Sequence, residues 1–163
     1  MPTGTFTVDA VLRRYPEDPA MTIRNILKDN WSLATGASAD EVKFSTGWFD
    51  QKYKQPQITV SEISDDPEPW ELGYGTIRVF AIYQVDCWVT VVKMGTAAKG
   101  VGIAKKYRWW MKTEVRRILK EQLTPGGDLK YIVLDQPGRN LDEPAGTPPR
   151  VRWSQDVLVV YEI

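Results

Sequence analysis

Lys105, Arg108, Lys112, Arg116 and Lys120 step along the chain by three or four residues, the spacing that lines side chains up on one face of a helix. Lys106 and Arg117 add to the charge, and Glu114 is the single acid among them. A ridge of cations suits either a nucleic-acid backbone, which needs Lys and Arg without base readout, or an acidic protein surface. The competing reading is a solvated helix face, because charged residues stay in water by default. An acidic counterpart lies in residues 64–75, where Asp65, Asp66, Glu68 and Glu71 surround Trp70 with no basic residue between them. The candidate partner surface is accordingly Glu68, Trp70 and Glu71 on one side and Arg108, Trp109, Lys112 and Arg116 on the other. Lys plus Arg and Asp plus Glu number 21 each, so the formal net charge is zero. A neutral chain with a basic face and an acidic segment suits joining to copies of itself head to tail, and such contacts close into rings when the rotation permits. That neutrality favours a neighbouring copy over DNA phosphate as the partner.

Other chemistry is largely excluded by residue type. The chain has no histidine, which removes the usual general base, the usual metal ligand and every Ser-His or Cys-His nucleophile. Cys87 is the only cysteine, so it forms no internal disulfide, and its strand-like surroundings predict a buried, inert thiol. Zinc would need Cys or His clusters that are missing. The glycines around Tyr74 (Gly73, Gly75) and around Val101 (Gly100, Gly102) lack the full spacing, and the following Lys-Ser/Thr, of nucleotide loops. No catalytic, cofactor-binding or metal residue is therefore expected. A carboxylate-only hydrolase needs two convergent acids in a cleft, and no spacing marks such a pair. The expected enzyme class is none.

The chain has 163 residues, enough for a single domain with its own core. No apolar run is long enough to span a bilayer, and the N-terminus lacks the basic and apolar regions of a signal peptide. The expected location is the cytosol or an assembling particle.

Residues 1–19 carry Pro2, Pro16 and Pro19 and read as an arm, with one short strand over 6–12. A helix is predicted from Ala20, with Ile23, Ile26, Leu27 and Trp31 on one buried face. Thr22 or Asp18 caps it, and Gly36 lies past its end before a turn at 38–41. Residues 42–49 read as a strand, with Gly47 a candidate bulge, and residues 57–63 as a half-buried strand. Residues 64–75 read as a surface loop. The longest β-like run is 76–93, with one parity apolar from Ile77 to Val91 and the other partly wet, so that it either projects as an arm or bends. A loop is expected over 95–102.

The second helix has the wide apolar stripe Ile103, Tyr107, Trp110, Met111, Val115, Ile118, Leu119 and Leu123, and stops at Pro125, Gly126 and Gly127. Residues 131–134 form a short strand, 136–149 a proline-rich loop, and 157–161 a buried final strand. No tail, anchor or targeting signal is expected beyond it. Two such helices must bury their stripes on one face of a sheet. The fold class is therefore α+β, a mostly antiparallel or mixed sheet with two helices packed on one face.

Seven tryptophans are many for this length. Trp31 and Trp110 fall on helix stripes. Trp48, Trp70 and Trp109 do not, and they are the interface candidates, with packing under loops as the alternative.

The element order, the strand Pro56-Gln57-Ile58-Thr59-Val60 and the ending Trp153-Ser154-Gln155-Asp156-Val157-Leu158-Val159-Val160-Tyr161-Glu162-Ile163 resemble the tail terminator proteins of long-tailed bacteriophages, the minor tail protein U type. The resemblance covers residues 20–163 in architecture more than in identity. The arm before Ala20 and the proline-rich loop before Arg150 are longer than the family pattern. The resemblance implies a virion structural protein without catalysis, assembled in the host cytoplasm. It would form a six-membered ring that binds the last ring of tail-tube subunits, stops tube growth and presents a surface to the head-tail connector. A head-completion or neck protein is the alternative within that class. A small nucleic-acid-binding domain using residues 105–120, with Trp109 as a stacking group, is the alternative outside it.

Overall fold

The computed structural model describes residues 17–32, 42–53, 55–69, 77–91, 97–126, 129–143, 145 and 149–162. The predicted strand at 6–12, Gly36 and the turn at 38–41 lie outside them.

Helix α1 spans Pro19–Asp29. Of the two candidate caps, Asp18 serves: its carboxylate accepts from the Ala20 amide at 2.9 Å. Pro19 follows at the first helical position, where its missing N–H costs nothing. Five strands and a second helix complete the order: β1 Lys43–Thr46, β2 Gln57–Pro69, β3 Ile77–Thr90, α2 Ala97–Glu121, β4 Leu129–Asn140 and β5 Arg150–Glu162. The sheet runs β1-β2-β3-β5-β4. β2, β3, β5 and β4 pair antiparallel in turn, whereas β1 lies parallel to β2. The sheet is therefore mixed, and the fold is α+β as expected.

Both helices cover the same face. Ile23 and Leu27 of α1 and Met111, Val115, Ile118 and Leu119 of α2 are fully buried in one cluster with Ile58, Val60, Ala81, Tyr83, Val85, Val157 and Val159. Each such side chain contributes about 1.5–3 kcal/mol on burial. The other face of the sheet has no helix on it among the described residues.

The strands reach further than the sequence pattern suggests. β2 continues through residues 64–69, predicted as loop, because β3 offers it partners out to Pro69↔Ile77. A bulge between Glu62 and Ser64 absorbs the change of pattern. Prolines are tolerated there because, among the described residues, no strand pairs with that half of β2 on its outer side, and an edge strand has no partner for the lost N–H. β3 is flanked by β2 and β5 along its length and so does not project as an arm.

Helix α2 starts at Ala97, inside the expected loop. Gly100 is buried on the same stripe as Ala104 and Met111, and burial there offsets the roughly 1 kcal/mol that glycine costs a helix. β4 runs to Asn140, into the expected proline-rich loop, by way of a second bulge between Asp135 and Arg139. Gln136 has φ 50° there. A Cβ on Gly138 would lie 2.5 Å from the Trp153 indole nitrogen, so the close approach requires glycine. The Gln155 amide fills the bulge, donating toward the carbonyls of Asp135 and Gln136 at 2.8 and 2.9 Å.

The two helices are joined by charge. Glu114 is 3% exposed and accepts from the Ser32 amide at 2.7 Å and from Arg117 at 2.6 and 3.0 Å. Arg117 also donates to the Asn30 carbonyl at 2.9 Å, closing the end of α1 against α2.

Candidate functional site

The uncovered face is built from alternate residues of β2, β3, β5 and β4, and register fixes its rows. Ile82 pairs with Leu158, which pairs with Val133. Phe80 pairs with Val160, which pairs with Tyr131. Two adjacent rows are thus apolar across three strands. Tyr131 is 51% exposed and Val133 45%, both on the edge strand β4. Charged rows bound this band. On one side Arg78 meets Glu162 at 3.1 Å and Lys130 approaches it at 3.6 Å. The Arg78 hydrogen bond holds the Glu162 carboxyl below its usual range. On the other side Asp156 pairs with Gln84 and Asp135 in register, and Arg139 reaches Asp156 at 3.5 Å.

Beyond that row the same face carries a cluster of arginine and aromatic rings. Arg152 donates to both carboxylate oxygens of Asp86, at 3.1 and 3.0 Å, and Asp86 is fully buried. The Arg152 guanidinium lies 4.5 Å from the Trp88 ring centroid and 5.1 Å from that of Trp48. Trp48 meets Trp88 edge-on at 5.4 Å, and Arg150 sits 4.7 Å over Phe49 while bonding Glu143 at 2.8 Å. The Trp88 indole donates to the Thr59 hydroxyl at 3.1 Å. Burial pushes the Asp86 carboxyl up, and the Arg152 guanidinium works against that shift. Each cation here has its carboxylate, so the cluster holds its own charge, and Trp48 packs on its rim, 63% exposed. Gly47, with φ 101°, makes the turn that delivers Trp48.

The residues singled out from the sequence separate. Arg108 bonds Asp142 of the same chain, and Arg116 lies 5.2 Å over the Trp153 ring. Both lean over their own sheet instead of forming a fully solvated ridge. Lys112 is half-buried, and Trp109 is 56% exposed. Glu68 pairs with Arg78 through the backbone of β2 and β3. Trp70 and Glu71 lie outside the described residues.

An acidic patch does exist one strand turn earlier. Glu62 accepts from the Tyr83 hydroxyl at 2.8 Å. Burial pushes both the Tyr83 and Tyr161 hydroxyls up; the Glu62 hydrogen bond adds to this at Tyr83, and the charges of Glu62 and Asp18 add to it at both. Asp65 acts on Tyr161 as well, and Asp65 and Asp66 are exposed.

Burial pushes the Cys87 thiol well up, which suits an inert core residue. Among the described residues, no helix is long and apolar enough to cross a membrane. No family model matches the chain, and no curated protein matches it.

Sequence reasoning missed the arginine–aromatic cluster and the apolar band. Both depend on which residues register places side by side. The even-numbered apolar residues of β3 and β5 (Phe80, Ile82, Leu158, Val160) were the signal that a second face was not simply wet.

Proposed function

We propose that this chain is an assembly subunit, a structural protein that works by covering its surfaces with other proteins, and that it acts as a tail terminator of a long-tailed bacteriophage. The observation that carries the assembly reading is the apolar band on the helix-free face, with Tyr131 and Val133 about half exposed on the edge strand β4. Contiguous apolar surface rimmed by charge marks protein contact. The phage reading rests on the element order and the final strand, and the α+β sheet with both helices on one face is compatible with it. In that reading the subunits form a ring, six-membered by the family resemblance, that caps the tail tube and meets the head-tail connector. Electron microscopy of the purified protein at high concentration tests it. Rings of one diameter support the reading, and single particles alone count against it.

A second reading is kept open by one observation. Exposed Trp109 stands among Lys105, Lys106 and Lys112 on α2, which suits stacking on a single-stranded nucleic acid. That reading requires affinity that falls steeply with salt.

A further inference from the structure

Among the described residues, nothing packs on the outer face of α2 or pairs with the outer half of β2, and the two surfaces carry opposite charge. Lys105, Trp109 and Lys112 lie at i, i+4 and i+7, hence on one ridge of the helix. Lys105 is exposed and Trp109 is 56% exposed, while Arg108 and Arg117 are tied down by Asp142, Glu114 and Glu121. On β2, β1 pairs only as far as Val60. Past that point Glu62, Asp65 and Asp66 are exposed, with Ile63 among them at 55% exposure. The α2 ridge is an exposed tryptophan between basic residues, and the β2 edge is an exposed isoleucine with acids on both faces of the sheet, Glu62 and Asp65 opposite Tyr83 and Ala81 and Asp66 opposite Phe80; an apolar side chain among charges is the anatomy of a protein contact.

The β2 edge is also shaped for a helix in preference to a strand. Pro67 and Pro69 have no N–H to offer, and the bulge between Glu62 and Ser64 breaks the ladder. Such features block strand addition, and a covering helix is one way proteins close an edge. We propose that the ridge of Lys105, Trp109 and Lys112 docks on residues 62–66 of a second copy of this chain. The contact joins two different surfaces, so it propagates head to tail and closes into a ring when the rotation permits. This inference rests on the assembly reading above and names the surfaces that the reading leaves open.

Two charge-reversed proteins test it. One carries Lys105→Glu and Lys112→Glu, and the other carries Asp65→Lys and Asp66→Lys. Circular dichroism and urea unfolding check that each stays folded. Each alone places like charges across the contact, so its native mass should fall to that of one chain under conditions where the wild type is oligomeric. Mixed in equal amounts, the acidic helix of the first meets the basic strand of the second and the reverse, so the oligomer should return. Variants that assemble like the wild type would overturn the docking while leaving the ring reading intact. Two monomeric variants that fail to assemble when mixed would also overturn it. A wild type that is monomeric throughout would remove both readings.

Discussion

Arg152 grips Asp86 across the boundary between β5 and β3 through two hydrogen bonds of 3.1 and 3.0 Å, and it does so beneath Trp48 and beside Trp88. The pair is almost fully withdrawn from water, with side-chain exposures of 11% for Arg152 and 0% for Asp86. Removing one partner of such a pair leaves a buried charge without compensation. Arg152→Met should therefore destabilise the protein by about 3–5 kcal/mol. Urea unfolding at neutral pH measures this, and a loss below about 1 kcal/mol would place the pair among ordinary surface contacts.

The same pair sets a pH dependence. Burial holds the folded pKa of Asp86 above 3.8, its ordinary value. The folded state then binds the proton more tightly than the unfolded chain does. The Asp86 contribution is fully present below the unfolded pKa and is lost as pH rises through the folded pKa. Asp86→Asn has no such term. The stability of the wild type minus that of Asp86→Asn should increase as pH falls from neutral toward the ordinary Asp value. Parallel urea unfolding at several pH values checks the sign, and a constant difference contradicts it.

Gly138 is predicted to tolerate no side chain. Its Cβ position is 2.5–2.7 Å from three atoms of the buried Trp153 indole. Gly138→Ala should cost about 1–3 kcal/mol through overpacking, with a change in tryptophan fluorescence as Trp153 moves. Gly102, where an added Cβ meets nothing within 4 Å, is the control. Gly102→Ala should be neutral or stabilising by up to about 1 kcal/mol, because alanine favours a helix.

The two ion pairs of Arg117 should differ in weight. Glu114 is buried and also holds the Ser32 amide, whereas the Glu121 side chain is 56% exposed. Glu114→Ala removes the buried acceptor shared by the Ser32 amide and Arg117 and should cost about 1–3 kcal/mol. Glu121→Ala breaks a surface i,i+4 pair, worth about 0.3–0.5 kcal/mol. Equal losses in thermal or urea unfolding would mean that the clasp between α1 and α2 carries no weight.

These contrasts show what was legible in the sequence. The Asp18 cap, most of both helix stripes and the apolar parity of β3 follow from local spacing and stand; Leu123, placed on the second stripe, is 47% exposed past the end of α2 at Glu121, and Trp31 lies past the end of α1 at Asp29. What failed was continuity. Residues 64–69 look like a loop because acids and prolines dominate them, yet in-register partners on β3 keep them in strand. Gly100 and Gly102 look like a loop before the helix, yet the buried stripe of α2 begins there. Arg108 and Arg116 look like members of a solvated ridge, but Asp142 and Trp153, distant in sequence, draw them over the sheet. The Asp86–Arg152 pair is separated along the chain by a helix and a strand, and no local pattern encodes it.

The apolar band and the two opposed charged surfaces lead to one central claim, that the chain functions as an assembled oligomer. Light scattering of the wild type over a hundredfold range of concentration, at low and moderate salt, tests this most directly. The assembly reading predicts a closed oligomer of one defined mass that dissociates on dilution and at higher salt, because the proposed contact is rimmed by charge. The mass of a single chain at every concentration and salt would contradict it.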